Sequence, residues 1–219
     1  MSAKNNYGVL VGQVVNNPAV SLMANRDFYT LIDLKVTNKE TKQTEIIHCV
    51  SWDNNATYDV LFLKQGDLIQ IEGYLHHYQY LDDQQHQQQL YQLVFYRFDI
   101  LQQNTKYNDF YLECFLDDNQ PAKFIKNKAG HDIAIVKAKF NDKQHNATGD
   151  NFSQIDLVIT LTSAIQKLKQ QQTYHNLSCT VKGEFHHQKL IAANITDYLV
   201  VNKSCEFKLH TETNYANIN

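Results

Sequence analysis

The sequence is poor in charge and in the residues that interrupt regular structure. Its 219 residues include 7 glycines and 2 prolines, and only 20% are Asp, Glu, Lys or Arg. Arginine occurs only as Arg26 and Arg97, and Trp52 is the single tryptophan. With 43% hydrophobic residues and a net charge of −3, the composition excludes a disordered chain, a coiled coil and a collagen-like chain. It also excludes a general basic coat that would hold duplex DNA by charge alone.

Motifs for metal binding and catalysis are missing as well. The four cysteines, Cys49, Cys114, Cys179 and Cys205, are far apart, and no Cys-x-x-Cys or His-x-x-x-His spacing occurs. There is no glycine-rich phosphate loop and no Gly-x-Ser-x-Gly turn. We therefore predict reduced, mostly buried thiols, no metal, no cofactor, no catalytic residue and no enzymatic activity.

Apolar runs long enough for a membrane helix are also absent. The first residues, 1–6, have no apolar signal core, and runs such as residues 93–96 are far shorter than the roughly 20 residues that a span needs. We expect a cytoplasmic protein with no membrane partner.

The first half of the sequence has mainly a period of two, which is typical of strands. Between residues 28 and 37, for example, one face holds Thr30, Ile32, Leu34 and Val36, and the other holds Tyr29, Leu31, Asp33 and Lys35. The predicted strands are 7–15, 28–37, 45–52, 68–80 and 90–101, with a helix at 55–64. Five strands with one helix between the third and fourth is the element order of the OB fold, a five-stranded Greek-key barrel.

The second half repeats this order after a polar joint. Its predicted elements are strands 110–116, 133–140, 153–162, 177–185 and 190–201, with a helix at 163–170. Residues 178–185 match residues 68–75 in alternation, with Gly183 at the place of Gly73. We predict an all-β protein of two tandem OB-fold domains, each with a short helix between strands 3 and 4. The predicted bounds are 1–104, 105–201 and a polar tail at 202–219. A single β domain of about ten strands is the alternative.

The first half resembles the bacterial single-stranded DNA-binding protein family. The resemblance is carried by Val9-Leu10-Val11-Gly12, by the run from Gln43 to Trp52, and by Lys64-Gln65-Gly66-Asp67 followed by Ile69 to Leu75. It covers about 100 residues, and it implies capture of single strands without sequence specificity. The second half resembles the family only through the internal repeat.

The resemblance implies particular binding residues. Trp52 and Tyr80 stand at positions where the family has stacking aromatics, whereas Ile46 stands where an aromatic is usual. His48 and His76 stand where the family often has arginine, which weakens phosphate contacts at neutral pH.

Residue spacing adds further candidates. Residues two apart share a strand face, so Tyr74, His76, Tyr78 and Tyr80 form one row, and Ile46, His48 and Trp52 another. Beside Lys35 these rows would form a solvent-facing stacking platform; alternatively, the tyrosines pack between strands or at a subunit interface. Lys137 and Lys139 share a face in the second half, as a phosphate patch or as an ordinary solvated surface.

These observations predict a non-enzymatic protein that binds single-stranded DNA by aromatic stacking and local lysine contacts in replication, recombination or repair. Two OB domains per chain suggest a homodimer with four, because the family assembles four such domains. The last ten residues carry one acidic side chain, unlike the family's acidic tip that recruits other replication and repair proteins, which hints at a plasmid, phage or mobile element. One alternative is an OB interaction module of a replication, primosome or conjugation complex with little DNA affinity. It is favoured by the charge of residues 1–104, which hold seven basic and eleven acidic residues. A further alternative is a tRNA- or oligosaccharide-binding module.

Overall fold

A computed structural model of the chain describes nine stretches of residues. They are 6–22, 28–37, 43–52, 59–81, 84–103, 107–142, 152–171, 173–175 and 177–209, without the side chains of residues 22, 79–81 and 87–89. Within them lie twelve strands and one helix. The elements are β1 (Asn6–Val14), β2 (Ala19–Leu22), β3 (Phe28–Thr37), β4 (Thr44–Ser51), β5 (Leu68–Leu81), β6 (Gln87–Ile100), β7 (Asn108–Leu116), β8 (Lys123–Lys126), β9 (Asp132–Asn141), β10 (Phe152–Ile159), α1 (Thr162–Gln170), β11 (Leu177–Leu190) and β12 (Ile195–Leu209).

The described residues divide into two compact units. The first unit comprises Tyr7–Asp109, and the second comprises the described residues from Phe110 onward together with Asn6.

The first unit is a five-stranded barrel with the OB strand order. β1 pairs with β5, β5 with β6, β6 with β4, β4 with β3, and β3 returns to β1. All of these pairs are antiparallel except β4 with β6, which is parallel. The short strand β2 extends the sheet beside β3. The predicted OB fold is therefore confirmed for this unit.

The second unit has the same strand order. β7 pairs with β11, β11 with β12, β12 with β10, β10 with β9, and β9 returns to β7. Again the third and fifth strands of the barrel, β10 and β12, are the parallel pair. The helix α1 lies between β10 and β11, as predicted, and buries Ala164, Ile165 and Leu168. The chain is thus a tandem of two OB folds, and the single larger β domain is excluded.

Two glycines hold the same bend in both units. The pairing of β5 with β6 shifts register between Glu72 and Gly73, and the pairing of β11 with β12 shifts between Lys182 and Glu184. A Cβ atom at Gly73 would overlap the carbonyl oxygen of Val94, and one at Gly183 would overlap that of Val200. Only glycine lets the two backbones approach this closely, which is how a strand bends around a small barrel.

Each barrel encloses its own apolar core, supplied by alternate residues of its strands. Fully buried side chains of the first unit include Leu10, Leu34, Ile71, Leu75 and Phe95. In the second unit the core is more aromatic, with Phe110, Phe140 and Phe185 fully buried, and the rings of Phe110 and Phe185 have their centroids 5.9 Å apart.

Several predicted bounds were wrong. The predicted tail at 202–219 begins too early, because β12 continues to Leu209 and pairs with β11 over that stretch. β11 continues to Leu190 rather than Phe185, so β12 starts at Ile195. The strands β2 and β8 were not predicted. Of the helix predicted at 55–64, residues 55–58 lie outside the described residues; Asp59 and Val60 are helical, and residues 61–64 form a turn and a loop. Residues 210–219 also lie outside the described residues.

No helix in the described stretches is both long and apolar enough to cross a membrane.

Candidate nucleic-acid interface

The outer surface of β3 and β4 forms the main candidate site. On β3, Ile32, Leu34 and Val36 point into the core, as predicted, so the intervening residues point outward. In the register between the two strands, Asp33 lies opposite His48 and Lys35 opposite Ile46. We call this surface the β3–β4 face; it consists of Tyr29, Leu31, Asp33, Lys35, Ile46, His48 and Trp52. In OB folds the second and third strands, here β3 and β4, supply a common surface for oligonucleotides.

An aromatic pair lies at one end of the β3–β4 face. The rings of Tyr29 and Trp52 have their centroids 5.2 Å apart and are tilted by 37°. Both side chains are half-buried. Trp52 was predicted as a stacking residue, whereas Tyr29 was only placed on the outward side of its strand. The structure adds it as the neighbour that orients the indole.

Exposed apolar side chains continue the surface away from the rings. Leu31 is 36% exposed and Ile46 45% exposed, although both belong to regular strands. Ile46 therefore offers an exposed aliphatic contact at the position where the resemblance implies an aromatic. Apolar side chains left open on a strand face commonly mark a binding surface.

A histidine and a carboxylate in hydrogen-bonding contact occupy the centre of the β3–β4 face. The Nδ1 atom of His48 lies 2.8 Å from Oδ1 of Asp33, and both side chains are partly exposed. Lys35 is exposed on the same side of β3, and no ion pair joins it to a residue of the described stretches. Lys35 is thus available for a phosphate group, whereas His48 already has a carboxylate neighbour.

The predicted row on β5 is only partly open to solvent. Tyr78 is 45% exposed and Tyr74 half-buried, but His76 is 8% exposed and therefore not the solvent-facing contact that the alternation predicted. The rings of His76 and Tyr78 have their centroids 6.5 Å apart. The backbone of Tyr80 pairs with Gln88, and its side chain lies outside the described part of the chain.

The β5 row lies on the same sheet surface as the β3–β4 face. β6 separates the two, and Val94 of β6 pairs both with Val50 of β4 and with Tyr74 of β5. The surface therefore runs from Tyr29 and Trp52 across β6 to the tyrosines of β5.

In the second unit, the lysines predicted as a phosphate patch are paired with carboxylates. Nζ of Lys137 lies 3.5 Å from Oδ1 of Asp156, and Nζ of Lys139 lies 3.4 Å from Oδ1 of the buried Asp117. Burial raises the pKa of Asp156 above its ordinary value of 3.8, although Lys137 acts in the opposite direction. Both lysines thus compensate acidic groups of their own unit, which corrects the interpretation that they form an open basic patch.

One end of the matching outer surface of the second unit is buried in apolar packing. Ile135, Val158 and Tyr198 are buried on the outside of β9, β10 and β12. The residues that pack on them are Ile125 of β8 together with Ile133, Leu190, Ala193, Ile195 and Val200. Ile125 of β8, which pairs alongside β9, and Ala193 of the turn between β11 and β12 thus help to bury one end of this surface, whereas Lys137, Lys139 and Gln154 remain at least partly exposed. The sequence did not predict this apolar packing.

Among the described residues, no cluster of His, Cys, Asp and Glu could hold a metal ion. The buried Cys49 has a pKa raised by burial and by the nearby Asp33. The Sγ atoms of Cys114 and Cys179 lie 3.3 Å apart on paired strands, and both are free thiols. The hydrogen bond with Cys114 and burial raise the pKa of Cys179, so these groups are structural rather than nucleophilic.

Comparison with known proteins agrees with this geometry. Residues 5–101 match the model of the Single-strand binding protein family. A deletion variant of the single-stranded DNA binding protein from Thermus aquaticus superposes with a TM-score of 0.67 at 15% identity, covering 94% of this chain and 95% of that chain. The wild-type Thermus aquaticus protein gives a TM-score of 0.64 at 14% identity, covering 94% and 93%. At such identities the likeness concerns the fold alone, and it extends over both units. No curated protein sequence matches the chain.

Proposed function

We propose that the chain belongs to the Single-strand binding protein family, whose model matches residues 5–101, and that it binds single-stranded DNA without sequence specificity. It acts as a non-enzymatic protein of replication, recombination and repair in the cytoplasm. Binding takes place on the β3–β4 face of the first unit and extends toward Tyr78 on β5.

The observation that carries this proposal is the open aromatic and aliphatic surface around Trp52. Tyr29 holds the indole at one end, and Leu31 and Ile46 leave apolar surface beside it. Bases stack on aromatic side chains for about 1–3 kcal/mol each, and every base has such a face, so the surface suits single strands of any sequence. Bases in a duplex are stacked on each other and are not available to it.

Charge supports the same preference. Lys35 is the exposed ammonium of the β3–β4 face, and Asp33 adds a negative charge next to it. Such a surface cannot neutralise many phosphates, so stacking has to supply most of the affinity.

We further propose a division of labour between the units. In the second unit one end of the corresponding surface is buried in apolar packing, and Lys137 and Lys139 are paired with acids. This unit therefore serves assembly, and a homodimer brings four OB units together. An origin on a plasmid, phage or mobile element is part of the same proposal.

A second candidate is an OB interaction module of a replication, primosome or conjugation complex. The observation in its favour is the excess of acid in the first half of the chain, with seven Lys and Arg against eleven Asp and Glu in residues 1–104. A protein partner with a basic surface would suit that balance better than a polyanion does.

The experiment that separates the two is a titration of tryptophan fluorescence with poly-thymidine, with duplex DNA as the control. Because Trp52 is the single tryptophan, its emission reports directly on the β3–β4 face. We expect strong quenching by the single strand and little by the duplex. Absence of quenching, together with no shift of a labelled oligothymidine at micromolar protein, would contradict DNA binding and favour the interaction module.

A pair of variants identifies the stacking residue. Replacing Trp52→Ala removes one stacking contact and should weaken binding of a fluorescent oligothymidine, measured by anisotropy, by about 5- to 100-fold. Phe62→Ala is the matched control, because Phe62 is 80% exposed but lies between β4 and β5, off the β3–β4 face. An equal loss in both variants would contradict a specific role of Trp52.

A further inference from the structure

The centre of the β3–β4 face holds a histidine and an acid, where a surface for a polyanion is expected to hold a fixed cation. His48 and Asp33 lie opposite each other in the strand register, with 2.8 Å between Nδ1 and Oδ1. Both remain partly exposed, so a phosphate that crosses β3 and β4 between the rings at one end and Lys35 at the other comes close to both.

In the row of the β3–β4 face that contains Asp33, His48 is the partly exposed side chain that can take up a proton and become positively charged. Toward β3 it faces the carboxylate of Asp33, with the ammonium of Lys35 one row away. Along β4 its neighbours on the same face are Ile46 and Val50, which do not titrate. Toward β6 and β5 the corresponding row holds Gln92 and the buried His76, which lie opposite each other.

A phosphate placed here meets opposite effects from the two partners. The carboxylate of Asp33 repels it, and His48 offsets that repulsion only when the ring carries a proton. Histidine is the side chain that ordinarily changes charge between pH 5 and 8. A neutral His48 leaves a net negative pair on the path of the strand, whereas a protonated one gives a neutral pair with a donor directed at the phosphate.

We propose that His48 is a proton-dependent phosphate contact, so that capture of a single strand is coupled to uptake of a proton at this side chain. The inference rests on the proposed function and deepens it: the ligand that the β3–β4 face takes is the single strand together with a proton. The sign follows from linkage. The complex holds the proton more tightly than the free protein, so the gain in affinity is complete at low pH and is lost as pH rises through the titration of His48 in the complex.

The test measures binding of a fluorescent oligothymidine to the full chain between pH 5.5 and 8 at constant salt. For the wild-type protein, we expect the dissociation constant to rise about three- to tenfold over this range, within the limit of tenfold per pH unit for one linked proton. His48→Gln keeps a hydrogen-bonding side chain beside Asp33 but carries no charge, so its binding should be weak and should lack most of this dependence. His48→Arg carries a fixed charge, so its binding should be tight and nearly independent of pH.

Two further measurements separate His48 from the other histidines. His76→Gln is the matched control, since His76 lies in the same row but is buried, and it should keep the pH dependence of the wild type. Calorimetric titrations at pH 6.5 in two buffers with different ionisation enthalpies should show proton uptake on binding that falls in His48→Gln.

The outcomes distinguish this inference from the function on which it rests. If oligothymidine binds but wild type and His48→Gln share one pH profile, the proton coupling is wrong and the single-strand binding stands. If His76→Gln rather than His48→Gln removes the dependence, His48 is the wrong residue. If no variant binds at any pH, both the proposed function and the coupling fail.

Discussion

The ammonium of Lys137 lies 3.5 Å from the carboxylate of Asp156, at the position in the second barrel that Asp33 and His48 occupy in the first. The equivalence follows from register, because two residues after His48 and Asp156 come Val50 and Val158, which pair with the parallel fifth strand in each barrel. Between the two units the acid has changed strands, and the histidine has been exchanged for a lysine. The same place on the fold therefore holds a lysine–carboxylate ion pair in one unit and a histidine–carboxylate hydrogen bond in the other.

The two units should therefore respond differently to a lysine substitution when DNA binding is measured. Lys35→Ala should make the slope of log affinity against log salt shallower by about 0.7, the value for one phosphate contact on a single strand. Lys137→Ala should leave the slope unchanged, because that ammonium is already paired with Asp156. Binding of a labelled oligothymidine at four salt concentrations measures both. A shallower slope for Lys137→Ala would show that the second unit also holds the strand.

The buried Asp156 predicts a pH dependence of stability. Burial raises its pKa above the ordinary 3.8, so ionisation of this carboxyl is less favourable in the folded state than in the unfolded state. Its contribution to stability is therefore fully present below pH 3.8 and is lost as pH rises through the folded-state value. Asp156→Asn should remove this loss, so the unfolding free energy of the variant relative to wild type should increase with pH above 3.8.

Urea unfolding of wild type and Asp156→Asn between pH 3.5 and 7 tests that sign. Asp132→Asn is the opposite control, because its hydrogen bond to Lys169 lowers the pKa of Asp132. If the unfolding free energy of Asp156→Asn relative to wild type instead fell as pH rises, the attraction of Lys137 would outweigh the effect of burial on Asp156.

The bend glycines predict a severe and matched loss of stability in both units. Gly73→Ala and Gly183→Ala drive a methyl group into a carbonyl oxygen of the neighbouring strand, so each should lower the unfolding free energy by about 3 kcal/mol or more. Gly130→Ala is the control: its φ of +82° is strained for alanine, but nothing lies within 4 Å of the added atom. It should cost about 1 kcal/mol. Equal losses at all three sites in chemical denaturation would contradict the close approach at the bends.

The thiols predict low reactivity in the folded protein. Burial raises the pKa of Cys205 to about 12, and the pKa values of Cys49 and Cys179 are raised as well. At pH 8 the thiolate fraction of Cys205 is about a thousandfold below that of a free cysteine, so labelling by a thiol reagent should be slow until the chain unfolds. All four cysteines should react in denaturant; one that reacts rapidly in the native protein would contradict the burial described here.

The alternation of apolar and polar residues predicted most strands, because each barrel strand has one side that faces solvent and one side that faces the apolar core. The strand predicted at 28–37 coincides with β3, and the helix predicted at 163–170 differs from α1 by one residue. The strands β2 and β8 have four residues each, too few to display a period. The last part of β12 was not predicted as a strand, because most of its residues are polar. Cys205 and Phe207 nevertheless alternate there and pair with Val181 and Cys179.

The candidate site was harder to predict, because it depends on register between strands. The sequence placed Tyr29 and Lys35 on one side of a strand, but which residue faces them depends on the loop that leads to β4. The ring contact of Tyr29 with Trp52 follows from the register of β3 and β4, and the pairing of Lys137 with Asp156 follows from the register of β9 and β10. The stacking and phosphate roles of the site residues stay predictions that the experiments above test.

The apolar packing on the outside of the second barrel has a consequence for its motions. In β9, Val136 is buried in the core, while the adjacent Ile135 is buried on the outer side in a cluster with Val158 and Tyr198, so neither side of the strand faces solvent over those residues. β9 also pairs with β7, β8 and β10 along its length. Opening it to solvent requires breaking two apolar layers at once, so its amide hydrogens should be among the last in the chain to exchange with deuterium. We therefore expect β9 to be the strand of the second unit that opens to solvent least often.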